Sequence, residues 1–209
     1  DFVWRFRRQP EGMWLPETAV DLATLEIMAG QGIKFTILAP DQASSFRELP
    51  AGEWTELEGN LIDIKWPYIC RLPSGRSICI FFYERGISND VAFSSLLDNG
   101  EEMAVRINGA FSEENHLDQL VSIAADGETF GHHHRFGEMA LSRCLSRIRE
   151  DGVARLTNFG ECLAKGAPKY EVRLREGSSW SCPHGIERWR DDCGCSVAGV
   201  ARVGWKKPL

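Results

Sequence analysis

Short runs of strand-forming residues alternate with amphipathic helical patterns along this chain, and this alternation constrains the fold more than any other feature. The strand-type runs lie at residues 13–15, 33–38, 120–125, 153–156 and 170–174. A strand, a helix and another strand in succession predict a mostly parallel sheet with helical crossovers. A complete barrel of this kind takes about 250 residues. The 209 residues of this chain therefore predict an α/β fold, an incomplete (β/α) barrel, in a single domain over residues 1–209.

Two helical patterns stand out between these runs. Thr18 can cap a helix that reaches about Ala29, and a second helix is predicted over residues 134–149. Apolar spacing predicts the buried side chains of the two helices, namely Leu22, Leu25, Ile27 and Met28 in the first and Met139, Leu141, Leu145 and Ile148 in the second. Weaker helical patterns lie at residues 89–97, 112–119 and 158–164.

Residues 66–84 differ from the rest, because two β-rich runs flank the turn sequence PSGR at 73–76. Proline and glycine at such positions are typical of a hairpin. We expect an antiparallel hairpin insertion that leaves the main sheet.

Composition excludes several classes of partner. The net charge of −6 and the pI near 5.5 argue against nucleic acid or an anionic membrane. No apolar run reaches the ~18 residues of a membrane helix, and no signal-peptide pattern opens the chain. Seven cysteines, an odd number, favour free thiols and a cytoplasmic location.

Two acidic residues follow predicted strands. Glu17 comes two residues after the run at 13–15, and Asp126 directly follows the run at 120–125. The carboxyl ends of parallel strands share one edge, where active sites lie, and two carboxylates there suit glycosidic bond cleavage. The alternatives are a helix N-terminal acid for Glu17 and a turn residue for Asp126. Spacing alone does not decide between them. Aromatic residues nearby suit stacking on sugar rings: Trp14, Phe130 and Trp180.

The amino-acid sequences of these segments are more specific than the spacing between them. GMWLPE at 12–17 and ADGETFG at 125–131 resemble two motifs of glycoside hydrolase family 57, whose members act on α-glucans and form an incomplete β/α barrel. The resemblance implies a catalytic nucleophile at Glu17 and a general acid/base at Asp126. SSWSCPHG at 178–185 is similar to a late region of the family and implies that Trp180 contacts the sugar. No cofactor is implied.

Longer stretches are similar to a bacterial subgroup of this family that also carries a C-terminal domain of unknown function. The family's opening His-Gln-Pro motif is absent, since Gln9-Pro10 lacks the histidine, so we expect a fragment without the first barrel strand. A retaining mechanism would require the two carboxyl groups to lie about 5–5.5 Å apart. Hydrolysis, transglycosylation and branching of an oligo- or polysaccharide, an α-glucan by resemblance, all remain open.

Three consecutive histidines follow the Asp126 motif. Neighbouring side chains point in different directions, so the run HHH at 132–134 is a poor metal site. We predict instead that one or both of His132 and His133 contact sugar hydroxyls at the rim of the site, together with Glu128.

Cysteine and histidine cluster again near the end, at Cys182, His184, Cys193 and Cys195. These residue types can bind zinc, but the Cys-x-His and Cys-x-Cys gaps differ from those of ordinary zinc knuckles. The favoured prediction is no metal, with Cys182 and His184 lining the sugar site and the other two cysteines packed as small apolar groups. Between them, the run ERWRDD at 187–192 is a solvated helix or a wall of the site.

Two other functions compete with sugar cleavage. A metal-dependent polysaccharide deacetylase would need an aspartate and a His-x-x-x-His pair, which the sequence lacks. A non-catalytic carbohydrate-binding or regulatory remnant would keep the outline of the site without its activity.

Overall fold

The computed structural model describes residues 1–112, 118–190, 193–197 and 200–201. The chain divides into two compact units. The first comprises Asp1–Ile62, Pro67–Phe81 and Pro168–Leu209, and the second comprises Asp63–Trp66 and Phe82–Ala167. Within the described residues, no helix combines the length and the apolar character of a bilayer-spanning segment.

A six-stranded sheet forms the centre of the first unit. Its strands are β1 (Phe35–Leu38), β2 (Ala43–Glu48), β3 (Thr55–Glu56), β4 (Tyr68–Arg71), β5 (Ser77–Phe82) and β6 (Tyr170–Leu174). Their order is β1-β5-β4-β6-β2-β3, so the sheet is open across the described residues. Two further short strands, β7 (Ser196–Val197) and β8 (Val200–Ala201), form an antiparallel pair.

The sheet is mixed rather than mostly parallel, which corrects one part of the predicted α/β fold. β4 and β6 run parallel, whereas β2 is antiparallel to both β3 and β6, and β4 is antiparallel to β5. Part of the cause lies in the connections. A short loop joins β2 to β3, and a tight turn joins β4 to β5. Such short connections cannot carry the chain back for a parallel pairing of the two strands that they join.

The hairpin predicted near residues 66–84 is present as β4 and β5, with Tyr68 opposite Ile80 and Arg71 opposite Ser77. The two strands lie in the interior of the sheet, between β1 and β6, instead of leaving it. Burial explains this position, because every residue of β5 after Ser77 is buried. A strand covered on both faces belongs in the middle of a sheet.

The first predicted strand is reduced to one parallel bridge between Gly12 and Phe35, where the Met13 N–H donates to the Phe35 carbonyl over 3.1 Å. A Cβ atom on Gly12 would lie 2.2 Å from the Phe35 ring, so this close approach requires glycine. Pro16 begins a helical turn, and this turn ends the extended stretch.

Three helices belong to the first unit: α1 (Phe2–Phe6), α2 (Leu22–Gly30) and α7 (Glu187–Arg190). Asp21, not Thr18, caps α2, and its carboxylate accepts the Thr24 N–H over 2.7 Å. Leu25 and Met28 are buried as predicted, but Ile27 is 68% exposed. α7 covers the start of the charged run, whereas Asp191 and Asp192 lie outside the described residues.

Helices dominate the second unit: α3 (Arg85–Phe93), α4 (Gly100–Gly109), α5 (Gly137–Asp151) and α6 (Phe159–Ala164). The periodicity indicated α3, α5 and α6. It missed α4, although Asn99 as the cap and Glu101 and Glu102 in the first turn are typical of the start of a helix. The helix predicted at 112–119 falls largely on residues 113–117, which lie outside the described residues.

α4 packs closely on α5 where Gly100 lies against Ala140, Arg143 and Cys144. Ala104 on α4 and Ala140 and Cys144 on α5 are buried in one cluster. Met139, predicted to face inward, is instead 64% exposed. The contact of α5 with α4 is therefore made in part by small residues, and Ile148, which was predicted to face inward, is buried.

The run at 120–125 is half-buried and belongs to no described strand, contrary to the prediction. Its backbone is nevertheless held within the second unit. The Leu120 N–H donates to the Lys65 carbonyl, the Ser122 carbonyl accepts the Glu84 N–H, and the Ala124 N–H donates to the Ser88 hydroxyl. Residues 153–156 likewise form no strand.

We predict that Gly100→Ala destabilises the chain whereas Gly109→Ala does not. A Cβ on Gly100 would lie 2.3 Å from the Ala140 carbonyl oxygen and 2.9 Å from the Arg143 Cβ, which forces the helices apart at a cost of about 1–3 kcal/mol. Gly109, at the other end of α4, has open space around its Cβ position, so alanine there should be neutral or gain up to ~1 kcal/mol. Urea denaturation of both variants measures the difference, and equal stabilities would contradict the close approach.

Candidate active site

Glu17 stands in a strained turn of the first unit. The single helical turn Pro16–Thr18 places Glu17 at φ 57°, ψ 19° and Thr18 at φ 50°. This left-handed region is costly for side chains other than glycine, and the cost is higher for a β-branched residue such as threonine. Strain of this kind persists only where the surroundings hold it, and it is concentrated at functional sites.

A buried hydrogen-bond network holds this turn. Gln42, 1% exposed, donates from Nε2 to the Thr18 carbonyl over 2.8 Å and to the Ser178 hydroxyl over 3.1 Å. Its Oε1 accepts the Ala39 N–H over 2.9 Å. Gln42 was not predicted, because PDQ at 40–42 is typical of an exposed turn and nothing in the sequence marks its amide as buried.

Trp180 connects the same turn to the late motif. Its backbone N–H lies 3.1 Å from the Glu17 carbonyl and 3.0 Å from the Thr18 hydroxyl. Its indole Nε1–H donates to Oε2 of Glu17 over 3.0 Å. The Thr18 hydroxyl is thus an acceptor in this network rather than a helix cap, and Glu17 lies outside the first turn of α2. The interpretation of Glu17 as a helix N-terminal acid is therefore wrong.

The predicted residues Trp14, Glu17 and Trp180 come together on one surface. The rings of Trp14 and Trp180 meet edge to face with centroids 5.2 Å apart. Trp14 is 41% exposed, and Glu17 is also exposed. Among the described residues, Oε1 of Glu17 has no hydrogen-bond partner. The arrangement offers a free carboxylate oxygen beside two indole rings.

Asp126 lies in the second unit, immediately before the single helical turn Gly127–Thr129. Its carbonyl accepts the Thr129 N–H over 3.0 Å, but its side chain makes no capping bond. The residue is exposed, and no described residue hydrogen-bonds its carboxyl group. The backbone thus fits the turn interpretation, while the side chain stays available for chemistry.

The histidine run wraps around Glu128, whose carbonyl accepts the N–H groups of His132 and His133. The side chains of both histidines and of Glu128 are exposed, and the two imidazole rings lie 4.9 Å apart. His134 is half-buried, with Nε2 3.1 Å from the Ala92 carbonyl. Phe130, the remaining predicted contact, packs against the helical core of the second unit.

The late cysteines and histidine form a cluster in the first unit. Sγ of Cys182 lies 3.8 Å from Sγ of Cys193 and 3.6 Å from Sγ of Cys195. Nδ1 of His184 lies 3.3 Å from Sγ of Cys195 and 3.8 Å from Sγ of Cys182. Of the residues that the structure describes, this is the one group of three or more such side chains that could hold a metal ion.

Hydrogen bonds within the cluster shift the pKa values of two of its thiols in opposite directions. Bonds made chiefly with the backbone of Cys195 lower the pKa of the Cys193 thiol, whereas bonds with Cys182 and Cys193 raise the pKa of Cys195 to about 11. The two neighbouring cysteines therefore differ in how readily each gives up its proton.

Two cavities lie away from the predicted acids. One of about 850 Å³ in the second unit is walled by residues such as Phe111, Leu120 and Leu156, and one of about 510 Å³ in the first unit is walled by residues such as Trp54 and Glu171. Neither Glu17 nor Asp126 lines them.

The profile of glycosyl hydrolase family 57 matches residues 3–175. The chain therefore belongs to glycosyl hydrolase family 57.

Solved structures share this fold at low sequence identity. An exo-type maltose-forming amylase from Pyrococcus sp. ST04 is 18% identical with a TM-score of 0.71, over 90% of this chain and 33% of that one. A family 57 branching enzyme from Pyrococcus horikoshii is 19% identical with a TM-score of 0.68, over 90% and 43%. A 4-α-glucanotransferase from Thermococcus litoralis is 17% identical with a TM-score of 0.60, over 91% and 26%. This chain thus spans less than half of each relative. No curated protein matches it.

The strain at Glu17 predicts a difference between two variants that both lose the carboxylate. Glycine adopts the left-handed conformation freely and alanine does not. We therefore expect Glu17→Gly to be about 1 kcal/mol more stable than Glu17→Ala. Both variants lose the bond from Trp180, so that loss cancels in the comparison. Urea denaturation measures the difference, and an alanine variant as stable as the glycine variant would show that the turn is unstrained.

Proposed function

We propose that the protein containing this chain cleaves or transfers α-glucosidic bonds by a retaining mechanism with two carboxylates. Glu17 is the nucleophile and Asp126 the general acid/base. The observation that carries the proposal is the Glu17 turn, where a costly backbone conformation presents a carboxylate beside two tryptophans in a chain of family 57. Positive φ also occurs at Arg7, Glu58 and Phe136, so the support comes from the strain together with the two tryptophans and the family motif.

The surroundings of Glu17 suit a nucleophile. The Trp180 indole donates to Oε2, which holds the carboxylate in place and leaves Oε1 to attack the anomeric carbon. As that bond forms, the glycosidic bond breaks and Asp126 gives its proton to the leaving oxygen. Water or a sugar hydroxyl then attacks the glycosyl-enzyme, and Asp126 takes the proton from it. Water as acceptor gives hydrolysis, and a sugar hydroxyl gives transfer or branching.

Exposed side chains near each acid supply the proposed sugar contacts. Trp14 and Trp180 offer ring faces and edges to the apolar faces of a glucose unit. Glu128, His132 and His133 lie beside Asp126 in sequence and can bond to sugar hydroxyls. Phe130 and His184 are weaker members of this set, because the first packs on a core and the second faces the cysteine cluster.

The proposed substrate is an α-glucan. The solved relatives are an amylase, a branching enzyme and a glucanotransferase, and each is named for work on such chains. We also propose that the whole chain contributes one domain to the family's incomplete barrel. Its seven cysteines, all free, support a cytoplasmic location.

The test uses the full-length protein with maltooligosaccharides. Glu17→Gln should abolish turnover, because an amide cannot form the glycosyl-enzyme. Asp126→Asn should lower kcat on maltooligosaccharides by about 10²–10⁴-fold. On an aryl α-maltooside, whose leaving group departs without a proton, azide should restore turnover of this variant because it replaces the deprotonated water in the second step. Product analysis by chromatography and NMR measures chain length and anomeric configuration, and retention is expected.

Matched controls change exposed carboxylates elsewhere. Glu56→Gln lies on β3, and Asp98→Asn lies in the turn before α4, so both should keep wild-type rates. Full activity in either catalytic variant would overturn the proposal. A folded wild-type protein that binds maltooligosaccharides without converting them would support the non-catalytic remnant instead.

A further inference from the structure

Four side chains of the first unit already stand at the corners of a metal site. Zinc bound to cysteine has Zn–S bonds of about 2.3 Å, so the S···S edge of a tetrahedral site is about 3.8 Å. The Sγ atom of Cys182 lies 3.8 Å from that of Cys193 and 3.6 Å from that of Cys195. With Zn–N near 2.0–2.1 Å, the S···N edge is about 3.5 Å. His184 Nδ1 lies 3.3 and 3.8 Å from two of these sulfurs.

We propose that Cys182, His184, Cys193 and Cys195 bind one structural zinc ion. Three thiolates and one imidazole are a ligand set that zinc takes in closed tetrahedral sites. All four ligand atoms lie within 4.8 Å of one another. The unusual gaps that argued against zinc do not prevent convergence, because a turn separates Cys182 from His184 and the Gly185 N–H closes it onto the Cys182 carbonyl over 2.9 Å.

The geometry of the cluster does not favour a disulfide bond between any two of its three cysteines. The sulfurs of Cys182, Cys193 and Cys195 converge, so no two of them are singled out, and separations of 3.6 to 3.8 Å far exceed the ~2.05 Å of an S–S bond. The Nδ1 atom of His184 is directed at the same point. An imidazole nitrogen can bind a cation, but it takes no part in a disulfide bond.

The ion would hold the segment that carries Trp180. The two ligand pairs flank α7, and residues 178–180 immediately before them make the bonds to Thr18, Glu17 and Gln42. With four protein ligands the zinc has no open position, so its role is to fix this segment rather than to activate water.

Metal analysis of the purified full-length protein tests the proposal. Wild type should contain about one equivalent of zinc, and Cys193→Ser and Cys195→Ser should lose most of it. Cys162→Ser, a matched change in α6 of the second unit, should keep the full equivalent. Less than a tenth of an equivalent in wild type purified without chelator, or unchanged zinc in both cluster variants, would overturn the proposal.

A second measurement applies if the cluster variants do not fold. Wild-type protein stripped with a chelator under reducing conditions should take up one equivalent of Co²⁺, with a thiolate-to-metal charge-transfer band and the intense visible bands of tetrahedral cobalt. Its melting temperature should fall on stripping and recover with zinc. Absence of these bands refutes the site. A count of only five reactive thiols in protein unfolded without reductant would show a disulfide instead. None of these readouts depends on glucan activity.

Discussion

The amide of Gln42 is the interaction on which the candidate site depends. Two bonds from one buried nitrogen join the Thr18 carbonyl to the Ser178 hydroxyl, and the amide oxygen satisfies the Ala39 N–H. An unsatisfied buried polar group costs about 1–3 kcal/mol, so each of these three groups needs the amide. Hydrogen bonds from this amide and from Trp180 hold the left-handed turn at Glu17. They therefore fix the direction in which the Glu17 carboxylate points.

The sequence pattern predicted elements better than their arrangement. Hydrophobic periodicity indicated β1, β6, α5 and the β4–β5 hairpin, since each depends on a local pattern. It misplaced Met139 because the approach of α4 to α5 at Gly100 selects small residues at the interface, and an apolar count favours large ones. It also predicted parallel pairing from alternation alone, although the short connections between β2 and β3 and between β4 and β5 allow only antiparallel pairing. Such effects depend on how two elements pack or pair, so the sequence of either element alone does not reveal them.

For the candidate site, the prediction depends on the motifs more than on spacing. Resemblance to family 57 singled out Glu17 and Trp180, and the structure joins them through an indole bond. Spacing offered no way to recognise Gln42, whose burial follows from tertiary packing. The cysteine cluster shows the opposite error. Counting gaps between ligands argued against convergence, but a tight turn at Cys182–Gly185 joins the first two ligands, and the four ligand atoms lie within 4.8 Å of one another.

Glu17 and Trp180 lie far apart in the sequence, so the site can form only once the sheet has folded. β2 begins at Ala43, directly after Gln42, and β6 ends at Leu174, four residues before Ser178. These two strands pair antiparallel with Ala43 opposite Leu174, and the Arg175 N–H continues the ladder to the Gln42 carbonyl over 2.8 Å. A slip of one residue in this register would turn each side chain to the other face and would part the Gln42 amide from Ser178. The irregularity in register between Ala43 and Ser45 pins the pairing beside the site, as bulges commonly do. The geometry at Glu17 therefore forms only when strands from opposite ends of the sequence have found their register.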